Sequence, residues 1–153
     1  VTMSRIRIVV ADQAEAIFYD TASLQAPPKE VAHISDPLAH QHDRDFSSDR
    51  PGRTYESVGS QRHAIEREND PRQREAVKFA RRISRRLDEA RRRGEYEELI
   101  VVAGPPFLGL MRKEMSRPTR ERVVHEIRKD LVHSPVESLR RHLPESAAEL
   151  RPA

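Results

Sequence analysis

The apolar residues of the chain fall into short runs, and the first three of these runs predict strands. Residues 5–11 (RIRIVVA) alternate and then become continuously apolar, as in a strand that enters the centre of a sheet. Residues 14–21 predict a second strand, and residues 29–35 a third in which Val31 and Ile34 face inward. Because the connections between the three runs are short, we expect consecutive antiparallel strands.

A helical pattern follows between Asp70 and Gly94. Asp70 is a good N-cap residue, Pro71 suits the first helical position, and Gly94 is a common helix terminator. Apolar residues recur between them at steps of three and four, which predicts one buried stripe: Ala76, Phe79, Ala80, Ile83, Leu87 and Ala90.

The remaining third of the chain alternates between strand and helix patterns. Residues 99–103 (LIVVA) form the continuous apolar run that is typical of a strand buried on both faces. Residues 104–106 (GPP) predict a tight turn into a helix in which Phe107 and Leu108 pack inward. A helical turn is expected to begin at Pro118.

The last two predicted elements lie close to the end of the chain. Residues 126–132 (EIRKDLV) are predicted to form a final strand, and Ser134-Pro135 to cap a terminal helix. The complete order is β-β-β-α-β-α-β-α, in which strands joined through helices pair in parallel. We therefore predict a single-domain α/β protein with a ribonuclease H-like mixed sheet, antiparallel in its first half and parallel in its second.

A long polar loop, residues 37–69, separates the third strand from the first helix. Loops of this length without a structural pattern are uncommon and are usually functional or disordered. The loop has a formal charge near −1, because residues 37–68 contain five Arg against six Asp or Glu. Its charges alternate in sign and would form a local ion-pair network: Asp43, Arg44, Asp45, Asp49, Arg50 and Arg53.

The composition excludes several classes of protein. The chain has no cysteine, which excludes disulfides, thiolate nucleophiles and cysteine-bound zinc. No apolar run approaches the roughly 18 residues that a membrane span needs, and the N-terminal residues lack the order of a signal peptide. We therefore expect a cytoplasmic protein that is not associated with a membrane, and we predict no cofactor or metal.

The first predicted helix has a strong positive charge. Residues 72–93 contain ten basic and three acidic residues, a formal charge of about +7, although the whole chain has only +3. Arginine suits phosphate because its planar fork donates two hydrogen bonds at once. An RNA-backbone surface and an ordinary solvated helix face both remain open. The candidate nucleic-acid-binding residues are Arg72, Arg74, Lys78, Arg81, Arg82, Arg85, Arg86, Arg92 and Arg93.

Several motifs resemble the bacterial host attachment proteins, which are required for attachment to host cells. The motifs are SDRPGR, RHA, AGPPFLGLMR and KDL, and the resemblance extends from Arg5 to Glu145. It implies one domain, residues 1–145, followed by a loose tail, residues 146–153. It also singles out a set of loop residues: Asp49, Arg50, Pro51, Gly52, Arg53, Gly59, Gln61, Arg62 and His63.

That family in turn resembles the middle domain of the archaeal and eukaryotic class-one release factors and of Pelota. In release factors a Gly-Gly-Gln loop precedes a long basic helix, and residues 59–61 (GSQ) occupy the loop position here. This makes Gln61 a candidate catalytic residue for positioning water. Ser60 replaces the second glycine, which gives the release-factor loop its backbone freedom. The domains that read codons in release factors have no counterpart in this sequence.

Two further sets of residues raise alternative chemistries. Residues 40–43 (HQHD), with His63, contain the side-chain types of a two-histidine, one-carboxylate metal site, but in a loop such a cluster is more often simply polar. Asp12, at the end of the first strand, is near the position of a metal-binding acid in ribonuclease H-like nucleases. Glu98 and Asp130 lie near other strands, but no spacing brings them to Asp12. A turn role for Asp12 is favoured.

We therefore weigh three functions. The first is a non-catalytic RNA- or ribosome-associated binding module that is linked indirectly to attachment. The second is a regulatory protein that binds another protein through the 37–69 loop. The third is a ribosome rescue factor that hydrolyses peptidyl-tRNA by means of Gln61.

Overall fold

The computed structural model describes residues 5–39 and 70–152 of the 153-residue chain. The strands are β1 (Ile6–Ala11), β2 (Glu15–Thr21), β3 (Lys29–Ser35), β4 (Glu98–Ala103) and β5 (Val123–Ile127). The helices are α1 (Pro71–Arg92), α2 (Pro105–Glu114), α3 (Arg117–Arg120) and α4 (Val136–His142), followed by a 3₁₀ turn at Ala147–Glu149. Residues 37–39 are helical, whereas the long loop was expected to begin there; its residues 40–69 lie outside the described part.

The five strands form one mixed sheet in the order β3-β2-β1-β4-β5. The pairs β1–β2 and β2–β3 are antiparallel, and the pairs β1–β4 and β4–β5 are parallel. The predicted change from antiparallel to parallel pairing along the sheet is therefore confirmed. Its cause is the length of the connections, since short connections of three and seven residues join the first three strands and helices carry the chain to β4 and β5.

Helices cover both faces of this sheet. The buried side of α1 and the apolar side of α2 pack against one face, where Phe79, Ile83, Leu87 and Met111 are at most 1% exposed. The opposite face is covered by α4 and the segment before it, through residues that include Leu139 and Leu143. All five residues 99–103 of β4 are completely buried, as their continuous apolar run predicted.

The turn after β4 also forms as predicted. Gly104 precedes α2, and its carbonyl accepts a hydrogen bond from the backbone N–H of Leu108 at 2.9 Å. Pro105 and Pro106 occupy the first helical positions, where a backbone donor is not needed. Phe107 and Leu108 are buried in the core between the helices and the sheet.

The prediction of the last strand was wrong in its position. The strand covers Val123–Ile127 rather than residues 126–132, so only its last two residues were included. Residues 128–130 are exposed and charged, whereas Val132 is buried against the α4 side of the sheet from outside the strand. The apolar pair Leu131-Val132 thus has the composition of strand residues but lies in a packed loop.

Val31 was expected to face inward and does not. It lies at an irregularity in the β2–β3 register, where Phe18 pairs with Ala32 and Tyr19 pairs with Glu30. Val31 has no partner across the ladder at this point, and 47% of it is exposed, whereas Ile34 is buried as predicted. A bulge of this kind shifts the alternation of side chains by one residue.

The C-terminal residues differ from two expectations. Within the described residues no side chain caps α4, whose N-cap residue is Pro135 rather than Ser134. Arg151, in the segment expected to form a loose tail, contacts β5: its carbonyl accepts from the backbone N–H of Glu126 at 3.0 Å. The edge strand thus obtains a hydrogen-bond partner that the sequence pattern did not indicate.

Candidate nucleic-acid interface

Helix α1 carries the predicted basic residues, and strong local signals fix its ends. The Asp70 side chain accepts a hydrogen bond from the backbone N–H of Arg72 at 2.9 Å, and Pro71 occupies the first turn. Gly94, with a φ of +71°, follows the C-cap residue Arg93. The predicted apolar stripe is buried along the whole length, so the opposite side of the helix must face solvent.

All nine basic residues predicted to bind nucleic acid are exposed. Helical spacing divides eight of them into two rows. The outer row, directed away from the sheet, consists of Arg74, Lys78, Arg81, Arg85 and Arg92. The inner row, on the side of β3, consists of Arg82, Arg86 and Arg93; the ninth residue, Arg72, lies in the first turn near Asp70.

Two of the three residues of the inner row contact the sheet. Arg82 donates a hydrogen bond to the carbonyl of Ser35 at 2.9 Å, and its guanidinium lies 5.8 Å from the ring centroid of Phe79. Arg86 lies over the ring of Phe18 at 5.7 Å. These contacts restrict the rotamers of long side chains that would otherwise be free in solvent.

The outer row is less occupied by partners. Arg81 forms an ion pair with Glu114 of α2, with an Nε–Oε1 distance of 2.8 Å. Within the described residues, Lys78 and Arg85 make neither a hydrogen bond nor an ion pair. These two cations are therefore available to an external anion without the loss of an internal contact.

A partly buried network fixes the C-terminal half of α1. The Asp88 carboxylate accepts hydrogen bonds from the hydroxyls of Ser116 and Thr119, and Arg91 lies 3.8 Å away. Burial of Asp88 opposes its ionisation, but these hydrogen bonds and the charges of Arg91 and Arg92 outweigh burial and lower the pKa of the carboxyl. The network joins α1 to α3, and so the basic surface is anchored on a rigid support.

Arg7 is a buried arginine that the sequence pattern did not indicate as a candidate site residue. Its guanidinium, almost completely buried, donates to both carboxylate oxygens of Asp20 at 2.6 and 3.0 Å and to Glu95 at 3.3 Å. Burial works against the charge, but the hydrogen bonds and charges of the two acids prevail and raise the pKa of Arg7. Arg7 therefore stabilises the junction of β1, β2 and the end of α1 rather than offering a free cation.

The three candidate nuclease acids do not all converge. Asp12 accepts hydrogen bonds from the backbone N–H groups of Ala14 and Glu15, both at 2.8 Å, which confirms its role in the turn after β1. Asp130 and Asp12 line a cavity of about 290 Å³ at the C-terminal ends of β1 and β4. Glu98 pairs with Ile6 at the other end of those strands. Within residues 5–39 and 70–152, no group of three or more His, Asp or Glu side chains is placed to hold a metal ion.

The remaining predicted site residues lie outside the described residues. They are the residues of the possible histidine cluster and of the loop motif, including the catalytic candidate Gln61. Their proposed roles stay predictions. In the part of the chain that is described, no helix is long and apolar enough to cross a membrane.

A comparison with protein families matches residues 7–143 to the family described as "Protein required for attachment to host cells". Because the match covers most of the chain, the chain belongs to this family, as its motifs predicted. A search of curated proteins gave no match.

Proposed function

We propose that this member of the host attachment family is a non-catalytic module that binds RNA, free or in ribosomes, through the exposed face of α1. Its effect on attachment would then be indirect. The observation that carries the proposal is the exposure of all nine predicted cations on one helix with only three acidic residues. A surface of this kind attracts a polyanion and releases counterions when it binds.

The division of the cations into two rows supports the proposal further. The inner row is restrained by contacts with the sheet, as Arg82 and Arg86 illustrate, which lowers the entropy lost on binding. The outer row includes Lys78 and Arg85, which have no partner within the described residues. A purely structural helix face would be expected to pair more of its cations with its own acids.

We also propose that the fold is ribonuclease H-like and related to the middle domain of release factors and Pelota. The strand order β3-β2-β1-β4-β5 and the basic helix before the buried strand β4 are compatible with this relation. A ribosomal partner follows from this relation more naturally than an extracellular one. The proposal requires a cytoplasmic location, which was expected from the cysteine-free sequence.

The test is co-sedimentation with ribosomes and with free ribosomal RNA at low and moderate salt. The wild type is compared with the double variant Lys78→Glu/Arg85→Glu, which alters two exposed cations without internal partners. The matched control is Arg140→Glu/Arg141→Glu on α4, which changes the formal charge by the same amount on the other side of the sheet.

We expect the wild type to bind at low salt and to lose affinity as salt rises. The α1 variant should bind at least about tenfold more weakly with a shallower salt dependence, because two phosphate contacts are lost. The α4 control should retain most of the affinity. No wild-type binding at low salt, or equal losses in both variants, would contradict the proposal and favour a protein partner for the 37–69 loop.

A further inference from the structure

A groove lies between the second half of α1 and the β2–β3 hairpin, on the side of the inner row. We call it the α1–β3 groove, and its volume is about 370 Å³. Its principal lining residues are Arg7, Phe18, Val31, Arg86, Glu89 and Arg93. The groove therefore opens directly beside the surface that is proposed to bind the RNA backbone.

One wall of the groove is a flat, supported guanidinium. Arg86 lies 5.7 Å above the ring centroid of Phe18, whose own exposure is 1%. This contact places the guanidinium beside the core, while Arg86 as a residue is exposed to solvent. Unstacked bases of single-stranded RNA are commonly recognised by hydrogen bonds to their Watson–Crick and Hoogsteen edges. Val31, which is 47% exposed at the bulge in β3, adds apolar surface to the groove.

The groove also presents one donor and one acceptor that have no ion-pair partner among the described residues. Arg7 and Arg93 are both near Glu95, at 3.3 and 3.8 Å, so these cations have an acidic partner. Within the described residues, Arg86 and Glu89 have no ion pair although they are three residues apart on the same helix. An arginine fork and a carboxylate are thus available side by side.

This combination selects against simple ions. The Glu89 carboxylate would repel a phosphate, and the Arg86 guanidinium would repel an amine or a metal cation. A suitable ligand must present acceptors to the arginine and donors to the carboxylate. Among the RNA bases, guanine fits best, because its O6 and N7 acceptors match an arginine fork and its N1–H and N2–H donors match a carboxylate.

We propose that the α1–β3 groove binds one unpaired guanine of an RNA strand whose backbone lies on the outer row of α1. The inference rests on the RNA binding proposed above. The Arg86 fork would donate hydrogen bonds to O6 and N7 of the base, while the Glu89 carboxylate accepts from N1–H and N2–H.

The experiment measures fluorescence anisotropy with uridine-rich single strands that differ at one central position. That position is guanine, adenine or inosine; inosine lacks the exocyclic amine of guanine. The wild type is compared with Arg86→Lys, which retains the charge but not the planar fork, and with Glu89→Gln. Arg140→Lys on α4, an exposed arginine on the other side of the sheet, is the matched control.

We expect the wild type to bind the guanine strand about tenfold more tightly than the adenine strand, with the inosine strand between them. Arg86→Lys should abolish most of the preference for guanine over adenine, and Glu89→Gln the preference for guanine over inosine. Arg140→Lys should leave both preferences intact.

Equal wild-type binding of the guanine and adenine strands would overturn the groove proposal and leave RNA binding by α1 intact. The same holds if Arg140→Lys removes the preference as completely as Arg86→Lys does. If the wild type binds none of the strands at low salt, RNA binding by α1 itself fails, and the groove proposal fails with it.

Discussion

The two faces of the sheet are covered by helices that carry very different charge. On one face, residues 71–93 contain ten basic and three acidic residues, while on the other, residues 128–145 contain four basic and three acidic residues. Both segments nevertheless bury an apolar stripe against the same strands. Core packing therefore does not require the charge of α1, and the difference between the faces points to a function at its surface.

The largest expected effect on stability comes from the apolar packing, which both faces of the sheet share. Leu87→Ala on α1 should lower the free energy of unfolding by up to about 5 kcal/mol, and Leu139→Ala on α4 by about 2–3 kcal/mol. Leu87 is completely buried within the larger cluster, where the surroundings relax least, whereas Leu139 lies on a seven-residue helix. Urea unfolding of both variants measures the difference. A larger loss for Leu139→Ala would show that α4 is the more rigid side.

The second effect is specific to the basic face. Asp88→Asn should cost about 1–3 kcal/mol, because the hydroxyls of Ser116 and Thr119 lose a charged acceptor. The pKa of Asp88 is lowered in the folded state, so the unfolded chain binds more protons when pH falls toward and below 3.8. The stabilisation is complete above that pH and is lost as pH falls through the folded pKa.

Urea midpoints of the wild type and Asp88→Asn between pH 7 and pH 3 test this effect. The difference in urea midpoint between the two proteins should be largest at neutral pH and should decrease under acid conditions. A gap that stays constant with pH would indicate that the carboxylate charge does not contribute to the network.

A smaller effect is expected at the edge of the sheet. The Nδ1 atom of His125 accepts a hydrogen bond from the backbone N–H of Arg151 at 2.7 Å. Burial, followed by the charge of Arg151, lowers the pKa of His125 below its ordinary 6.5. Below about pH 6.5 the unfolded chain therefore binds more protons than the folded chain, and stability falls as pH decreases.

His125→Asn should remove this part of the pH dependence, because the asparagine carbonyl accepts the same hydrogen bond without titrating. The change in unfolding free energy is expected to stay below about 1.5 kcal/mol, the contribution of one hydrogen bond. Thermal melts of both proteins between pH 7.5 and pH 5 provide the measurement. Parallel losses of stability in the two proteins would assign the pH dependence to other groups.

The sequence predicted the elements of this fold better than the contacts between their side chains. Helix α1 was predictable because its cap, its stripe and its terminating glycine agree with one another. Val31 was mispredicted because a bulge changes the side-chain alternation without any local signal such as glycine or proline. The last strand was misplaced because Val132 has the composition of a strand residue but packs from a loop.

The basic residues of the candidate site could be predicted from the sequence, but the different contacts of its two rows could not. The nine cations could be counted from the sequence, but the contacts of Arg82 and Arg86 depend on where β2 and β3 lie. The Arg7–Asp20 pair could have been predicted from the sequence, because a tight β1–β2 turn at Asp12 places the two residues opposite each other. Its third partner, Glu95, is separated by 88 residues and required the tertiary fold.

The smallest expected effect on stability comes from a substitution on the basic face that should change RNA binding much more than folding. Arg81 and Glu114 form an exposed ion pair, and Glu114→Gln should cost only about 0.2–1 kcal/mol of unfolding free energy, less at high salt. The same substitution frees Arg81 and adds one net positive charge to the outer row. RNA affinity should therefore rise severalfold at low salt, and the salt dependence should steepen by somewhat less than one phosphate contact. Urea unfolding measures the stability of this variant, and fluorescence anisotropy measures its RNA affinity. Glu137→Gln on α4 is the control with the same change of charge. If both substitutions change RNA affinity equally, only total charge matters, whereas an increase confined to Glu114→Gln would locate the binding surface on the outer row of α1.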